Sequence, residues 1–235
     1  MKNIILLFLF FSSSSVIAQV PFKITTLTKS QIPASVQYKG RLQQAFSWRD
    51  KLGDNILILS SSGPSKAINK DFPGETAATM ELVALHFLKK EKAYALLWKV
   101  TDAEQACAFD VTAEFIKAAT RITDLDNDGI AETTVQYKLA CRSDVSPAYM
   151  KLIMHEGEVK YSLRGYMWIE TTEGHFNITG KNANLEKLPK KDDEWAQIIQ
   201  TYGRYESEKE FKNAPSSFLT FARRQWLKFA IEKFE

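Results

Sequence analysis

The stretch TDLDNDGIAETTVQYKLAC, residues 123–141, decides how the middle of this chain folds. It places four carboxylates, Asp124, Asp126, Asp128 and Glu132, within nine residues, and these acids define what we call the acidic loop. Calcium takes about six to eight oxygen ligands from carboxylates, carbonyls and water. Acids that alternate in one tight loop can converge on a single ion, and the residues after them alternate as in a strand. The stretch therefore predicts a calcium-binding loop that leads into a β-strand.

Two further residues complete the predicted calcium site. Gly129 supplies a sharp bend that residues with a side chain resist, and Ile130 follows at the seventh loop position, where its carbonyl can add an oxygen. An EF-hand needs a bidentate glutamate at the twelfth position, which Val135 occupies here. The loop resembles instead the calcium turns of integrin-type and related extracellular β-repeats, which also place an acid at the ninth position. Only one copy occurs in the chain, so a propeller is not predicted.

Two other interpretations of the acidic loop are open. A hairpin turn with solvated acids explains residues 127–129, but four acids this close would repel one another without a cation. A catalytic pair would place two carboxylates about 5–10 Å apart across a cleft, whereas these acids lie in one compact turn. Calcium binding accounts for all four acids, and no catalytic residue is predicted.

Cys107 and Cys141 are the only cysteines in the sequence. An even pair in an exported protein indicates a disulfide. The alternative is a reactive thiol, but His86, His155 and His175 stand in no recognisable catalytic context. A disulfide would hold one end of the strand that follows the acidic loop, and calcium would hold the other. This arrangement favours a structural ion over a regulatory one.

The first 18 residues have the parts of a secretory signal peptide. Lys2 gives a short positive region, residues 4–11 are apolar, and residues 16–18 are typical of a cleavage site after Ala18. A membrane anchor is the alternative, but about eight apolar residues are fewer than the roughly 20 that span a bilayer. We therefore expect an exported protein, in the periplasm or at the cell surface, with no transmembrane segment after cleavage.

Composition and charge limit the function classes. Hydrophobic residues make up 45% of the chain and aromatic residues 12%, which is enough for a sizeable core. The formal net charge is +3, and the lysine pairs at 89–90 and 190–191 are short and lie close to acids. These features indicate a solvated surface and no nucleic-acid partner. The sequence also contains no G-x-S-x-G, H-E-x-x-H, P-loop, C-x-x-C or dinucleotide-binding motif.

After a lead-in segment at residues 19–35, the sequence predicts a β-rich core over residues 36–190. Short alternating or apolar runs separated by turn residues are typical of an antiparallel meander. One helix over residues 80–100 is the alternative for that part, because Ala, Met, Glu and Leu favour helix. Residues 60–74, rich in Ser, Gly and Pro, are predicted to form a loop. The predicted hairpins join residues 36–48 to 56–59, 80–88 to 94–100, 109–122 to 133–141, and 149–154 to 159–167.

The last segment of the same domain, residues 191–235, changes to a helical period. Asp192 or Asp193 can cap a first helix that ends at Gly203, and a second begins near Pro215. Apolar residues recur every three or four positions, with basic residues mostly opposite them in the second helix. Such a helix can lie on a membrane, but packing on the sheet is the simpler expectation. The predicted fold class is α+β, an antiparallel β-meander sheet with C-terminal amphipathic helices packed on it.

Short motifs across residues 36–168 carry a resemblance to a known family. In chain order they are Tyr38-Lys39-Gly40, Trp48-Arg49-Asp50, Leu97-Trp98-Lys99, Cys107, the acidic loop and the sequence CRSDVSP at residues 141–147. In this order they resemble a family of exported bacterial proteins labelled surface polysaccharide, including lipopolysaccharide, biosynthesis proteins. The resemblance implies a cell-envelope role in the production or display of surface polysaccharide, and it carries over no catalytic residue.

Two other functions are kept open. The first is a glycan- or protein-binding module or inhibitor in the periplasm or at the cell surface, with an envelope glycan or envelope protein as its partner. Exposed rings of Trp48, Trp98 and Trp168 would supply its stacking surface, but burial in the core is the favoured expectation for at least two of them. The second is a glycan-active enzyme, which would need two carboxylates across a cleft. The sequence reveals no such pair.

Overall fold

The computed structural model describes residues 22–69, 75–170 and 177–233, and the predicted signal peptide lies outside them. In the described residues the chain forms two antiparallel sheets, one short parallel pair of strands and two α-helices. The first sheet consists of β1 (Thr25–Thr26), β2 (Arg41–Asp50), β3 (Gly53–Ile68), β4 (Thr76–Lys90) and β5 (Ala93–Cys107). The second consists of β6 (Asp110–Phe115), β7 (Arg121–Thr123), β8 (Glu132–Arg142), β9 (Tyr149–Glu156) and β10 (Val159–Tyr166). The C-terminal part contains β11 (Trp168–Ile169), α1 (Glu194–Thr201), α2 (Ser216–Phe229) and β12 (Ile231–Glu232), with β11 parallel to β12.

Pairing within both sheets is antiparallel and mostly follows chain order. The first sheet is a meander from β1 to β5. The second has the order β10-β9-β8-β6, and β7 pairs with β8 beyond the end of β6, on the same edge. The predicted α+β class, with a β-meander and C-terminal helices, is confirmed. The strands are divided between two sheets, which the prediction did not separate.

Tight turns explain where the hairpins close. Lys90 pairs with Ala93 across the β4–β5 turn, so residues 80–100 form the two predicted strands and not the alternative single helix. β9 and β10 join at Gly157, whose φ of 53° lies in the left-handed region that glycine adopts easily. The charged and glycine-containing turns predicted from the sequence therefore lie where the chain reverses.

The two sheets face each other across a central core. Because side chains alternate along a strand, one face of each sheet supplies this core. Ile153 of β9, for example, faces the first sheet, while its neighbours on the strand face away. The central core contains Trp48, Leu57, Leu59, Leu82, Ala84 and Trp98 from the first sheet and Ala113, Phe115, Val135, Tyr137, Leu139 and Ile153 from the second, with Ile122 and Ala131 beside them.

The C-terminal helix α2 covers the outer face of the second sheet. Phe218, Ala222 and Trp226 lie on one side of α2, are fully buried, and pack on the outward side chains of the sheet. Trp226 also donates its indole N–H to the Gly203 carbonyl at 3.0 Å. The residues that the sheet contributes include Met150, Leu152, Met154, Tyr161 and Leu163.

The N-terminal residues cover the outer face of the first sheet. Leu27 and Ile32 pack against a third core on that face. The chain therefore stacks in four layers, with the N-terminal segment, the two sheets and the C-terminal helix in that order. The third core consists of Val36, Ala45, Ile56, Ile58, Val83, Leu85 and Phe87.

The predicted loop at residues 60–74 needs correction. β3 continues through this segment to Ile68 and stays paired with β4. The register shifts between Ser62 and Ser65, because the Gly-Pro pair between them cannot continue a regular ladder. The Ser, Gly and Pro residues therefore mark an irregularity within β3 and not the end of this strand. Residues 70–74 lie outside the described part of the chain.

Helix α1 begins where the sequence predicts. Asp193 caps it, since its side chain accepts the N–H of Ala196 at 2.9 Å. None of its side chains is buried, and Trp195 is 65% exposed. Within residues 22–69, 75–170 and 177–233, no helix is long and apolar enough to cross a membrane.

Candidate metal centre

The acidic loop is held as a hairpin between β7 and β8. Thr123 pairs with Glu132 at the base of the loop. Asn127 has a φ of 61° and Gly129 a φ of 85°. A residue in this left-handed region turns the chain sharply, and glycine does so without steric cost. The bend predicted at Gly129 is confirmed.

The three aspartates of the loop form one group. Asp124, Asp126 and Asp128 each offer a carboxylate oxygen, and these atoms lie within 4.8 Å of one another. Calcium–oxygen bonds measure about 2.3–2.6 Å, so two ligands of one ion lie at most about 5 Å apart. The structure therefore brings together three of the predicted ligands at a spacing that suits a cation.

Asp124 has an environment unlike that of a surface acid. The residue is 5% exposed. Its Oδ2 atom accepts the N–H of Gly129 at 3.2 Å, whereas its Oδ1 atom is buried and has no hydrogen-bond partner in the part of the chain that the structure describes. Burying a carboxylate oxygen without a partner is costly. A cation held by the aspartate group would satisfy this atom.

Asp126 and Asp128 are exposed and also shape the loop. Asp126 Oδ1 accepts the N–H of Asp128 at 3.3 Å, and Asp128 Oδ1 accepts the N–H of Ile130 at 2.7 Å. These contacts are Asx turns, in which an aspartate accepts from the backbone two residues on. They fix where the carboxylates point. The carbonyl of Ile130 stays a predicted ligand.

Glu132 belongs to a second group of carboxylates, with Asp126 and Glu156, whose oxygens also lie within 4.8 Å of one another. Glu132 is fully buried and accepts the N–H of Leu125 at 3.0 Å and the hydroxyl of Thr123 at 2.8 Å. Burial raises the pKa of Glu132 to about 8, against the opposing effect of these hydrogen bonds. The structure thus places this predicted ligand beside the aspartate group, and Asp126 is common to both groups.

Glu156, the last residue of β9, is a carboxylate that the sequence reasoning missed. It pairs with Glu132 across the β8–β9 ladder, and its Oε1 atom is buried with no hydrogen-bond partner within residues 22–69, 75–170 and 177–233. Burial first, and then the charges of the loop aspartates, raise the pKa of Glu156. The hairpin turn at Gly157 was predictable, but only the register of β8 and β9 brings this acid to the loop.

The acidic loop also contacts the first sheet at the β2–β3 turn. The Lys51 N–H donates to the Gly129 carbonyl at 2.8 Å. Asp50 Oδ2 accepts the Ala131 N–H at 3.2 Å and the Trp48 indole N–H at 3.0 Å. An ion that fixes the loop would therefore also fix the contact between the two sheets.

The predicted disulfide joins Cys107 to Cys141, with their Cα atoms 5.4 Å apart. Cys107 ends β5 of the first sheet, and Cys141 lies near the end of β8 in the second. Glu132 begins β8, so the acidic loop and the disulfide lie at opposite ends of this strand, about 30 Å apart at roughly 3.3 Å per residue. The sheets are thus connected at both ends of β8.

Two of the three tryptophans named as a possible stacking surface are buried, as expected for at least two of these rings. Trp48 and Trp98 are 4% and 7% exposed, because their large rings fill the space between the sheets. Both contact His86, with ring centroids 5.0 and 5.4 Å apart, and Trp98 stacks on His155 at 4.1 Å. Neither ring is available to a ligand. Trp168, at the start of β11, is half-buried.

Comparisons of the chain with protein-family models, curated proteins and solved structures find no match.

Proposed function

We propose that the protein is an exported cell-envelope protein that binds calcium as a structural ion through Asp124, Asp126 and Asp128. The single observation that carries the proposal is the buried Oδ1 atom of Asp124, which has no hydrogen-bond partner among the described residues, on a side chain that belongs to a group of converging carboxylates. Glu132 and Glu156 lie beside this group and can add oxygens or hold bound water. The ion keeps the loop in the conformation that contacts the β2–β3 turn.

The donor set favours calcium over other cations. The aspartates and the neighbouring glutamates offer only oxygen, which suits hard cations, whereas zinc favours imidazole or thiolate ligands. Magnesium demands a near-ideal octahedron at about 2.0–2.1 Å and keeps several waters. Calcium accepts more oxygens in a less regular arrangement. A loop whose several carboxylates differ in burial therefore fits calcium best.

The cellular part of the proposal is a contribution to surface polysaccharide or lipopolysaccharide biosynthesis. It rests on the resemblance of the motifs between residues 36 and 168, and on the signal-peptide pattern. The Cys107–Cys141 disulfide agrees with an oxidising compartment. In this role the protein supplies a stable envelope scaffold, and calcium maintains its fold.

Thermal melting with calcium and with a chelator tests the metal site. Calcium at about 100 times its dissociation constant should stabilise the protein by roughly 2.7 kcal/mol, which raises the melting temperature by about 5–10 °C for a domain of this size. Asp124→Asn keeps the shape of the side chain but removes its charge, and Asp126→Ala removes a carboxylate that both groups share. Both variants should lose most of the calcium-dependent shift.

Glu158→Gln is the matched control, because Glu158 is an exposed acid in the neighbouring hairpin turn. It should keep the full calcium-dependent shift. An equal melting temperature with calcium and with chelator in the wild-type protein would refute the site. A shift that Asp124→Asn leaves intact would place the ion elsewhere.

Deletion of the gene tests the cellular role. The deletion strain should show an altered lipopolysaccharide pattern on gels, and the wild-type gene should restore it. The Asp124→Asn gene should restore it less completely at elevated temperature, because the envelope protein would be less stable. An unchanged gel pattern in the deletion strain would sink the polysaccharide role and leave the calcium site unaffected.

A further inference from the structure

A groove of about 840 Å³ opens where the two sheets meet the end of α2. This volume lies within the roughly 300–1,000 Å³ typical of ligand pockets. Arg41, Ser61 and Leu82 line it from the first sheet and form one row, because Arg41 pairs with Ser61 and Ser61 with Leu82. Residues 113–115 of β6 and residues 116–118, at the short 3-10 helix Lys117–Ala119, line the opposite side. We call this cavity the basic groove.

Apolar side chains form the floor of the basic groove. Leu82, Phe115 and Met167 are each less than 10% exposed, and they border the cavity. Phe229 and Ile231 are half-buried and extend the apolar surface from the end of α2 into β12. A floor of this composition favours a hydrocarbon group over a sugar or a nucleotide, because it offers few hydrogen-bonding partners.

Cations line the rim of the basic groove. Arg41, Lys117, Lys228 and Lys233 are exposed, and none of them has an acidic partner among the described residues. The ammonium of Lys228 lies 5.5 Å from the centre of the Phe229 ring, which joins the charged rim to the apolar floor.

A fifth cation, Lys138, is already paired. Its ammonium lies 3.7 Å from Glu114 and 3.4 Å from Glu232. Glu114 is the one acid that lines the cavity among the described residues. Positive charge on the rim is therefore in excess, and a cluster of unpaired cations beside a low-dielectric wall attracts an anion.

We infer that the basic groove binds an anionic amphiphile, with a single hydrocarbon chain on the floor and a phosphate or carboxylate head group between the rim cations. This site goes beyond the proposed calcium-binding role and does not depend on it. β2 runs from Arg41 in the groove to Asp50 at the acidic loop, a distance of about 30 Å at roughly 3.3 Å per residue. The two sites therefore lie at opposite ends of the first sheet.

Titration calorimetry with decyl phosphate, kept below its micelle concentration, tests the inference on the mature protein. Inorganic phosphate tests the head group alone, and decyl maltoside tests the chain without charge. Decyl phosphate should bind at least about tenfold more tightly than either, because it alone can use both the floor and the rim. Its affinity should fall as salt rises, since the rim charges are exposed to screening.

Two pairs of substitutions locate the binding. Lys228→Gln with Lys233→Gln removes two rim cations and should weaken decyl phosphate binding by about tenfold or more. Lys92→Gln with Lys190→Gln makes the same charge change at exposed positions outside the groove, and should leave the affinity within about twofold. Equal losses in both double variants would show that net charge alone attracts the probe, and would overturn the inference.

The methionines supply a readout that does not depend on affinity. Met80 and Met167 line the groove, whereas Met154 is fully buried between the second sheet and the C-terminal part. In protein labelled at the methionine methyl groups, decyl phosphate should shift the Met80 and Met167 signals and leave the Met154 signal in place. Unshifted Met80 and Met167 signals, or equally tight binding of an acidic peptide without a hydrocarbon chain, would contradict the proposed ligand. Asp124→Asn should bind the probe as the wild type does.

Discussion

At the scale of single residues, His86 shows how the space between the sheets disfavours charge. The residue is 2% exposed, lies between the rings of Trp48 and Trp98, and bonds through Nε2 to Asn55 at 2.9 Å. Burial lowers the pKa of His86 to about 3. The charge of Asp50 opposes this shift, and the neighbouring histidine of β9 adds to it. The imidazole therefore stays neutral in the folded protein across the mildly acidic range.

Stability should consequently fall as the pH decreases from about 6.5 towards 3. In the unfolded chain His86 binds a proton below about 6.5, whereas in the folded protein it does so only near 3. The unfolded state binds more protons in this window, so acid favours unfolding. Chemical denaturation at pH 7 and pH 4.5, with saturating calcium, should show a smaller loss of unfolding free energy for His86→Gln than for the wild type, by about 2 kcal/mol. An equal loss in both proteins would show that His86 is not responsible.

Asp124 illustrates what residue spacing can predict and what it cannot. The D-x-D-x-D-G pattern identifies the acids that can meet at one point, because the loop is local in sequence. It does not reveal that one Asp124 oxygen is buried and has no donor among the described residues. Its surroundings are not local in sequence, because Asp50 and Lys51 contact the same loop from another sheet. Local spacing determines which side chains approach each other, while long-range packing determines their solvation.

At the scale of elements, β10 lies against the segment that contains Arg204 and Tyr205. Gly165 forms an isolated bridge with Tyr205, and the backbones approach so closely that a Cβ atom on Gly165 would lie 2.1 Å from the Arg204 carbonyl oxygen. The adjacent Arg164 carbonyl accepts the N–H of Glu206 at 2.7 Å. A residue without a side chain is therefore required where the C-terminal part meets the second sheet.

Gly165→Ala should lower the free energy of unfolding by about 1–3 kcal/mol, because the added methyl group forces two backbones apart. Gly180→Ala is the matched control, since a Cβ atom there would have nothing within 4 Å. Urea denaturation of both variants against the wild type gives the comparison. Similar free energies of unfolding for the two variants would mean that the two backbones at Gly165 can move apart without loss of stability.

Hairpins were predictable from the sequence, while their assignment to sheets was not. The turns at 89–92 and 156–158 interrupt runs that suit strands. The first joins β4 to β5, and the second joins β9 to β10. The alternation of apolar residues along a strand is the same whether all the strands form one sheet or are divided between two stacked sheets. Apolar runs such as 56–59 have both faces buried, which agrees with several layers but does not define them. Gly63 and Pro64 led to the incorrect prediction of a loop, because they shift the β3–β4 register without ending β3.

At the scale of the whole molecule, the two sheets are connected at both ends of β8. The disulfide joins the end of β5 to β8, and the acidic loop before β8 contacts the β2–β3 turn. The central core lies between these two connections. Glu156 and the basic groove also arise at this scale, because distant segments assemble them. A pattern within a few residues could identify neither.

Removal of the disulfide should therefore destabilise the protein without abolishing calcium binding. The bridge spans 34 residues, and in the chain-entropy model closing such a loop contributes about 4 kcal/mol. Cys107→Ala with Cys141→Ala should lower the melting temperature by roughly 10 °C, and the chemically reduced wild type should melt near the double variant. A loss below about 1 kcal/mol would indicate that packing alone holds this end of the sheets.

The two connections at the ends of β8 also bear on when the chain can fold. A disulfide needs an oxidising compartment, and extracellular calcium modules bind at about 10⁻⁴–10⁻³ M, well above the free calcium of a cytoplasm. In the proposed envelope location, both connections form only after translocation. On that proposal, packing alone would hold the two sheets of the newly made chain together inside the cell, and the disulfide and the bound calcium would add their stability after export. Thermal melts of the oxidised and the reduced protein, each with calcium and with chelator, measure how much stability the disulfide and the bound calcium add.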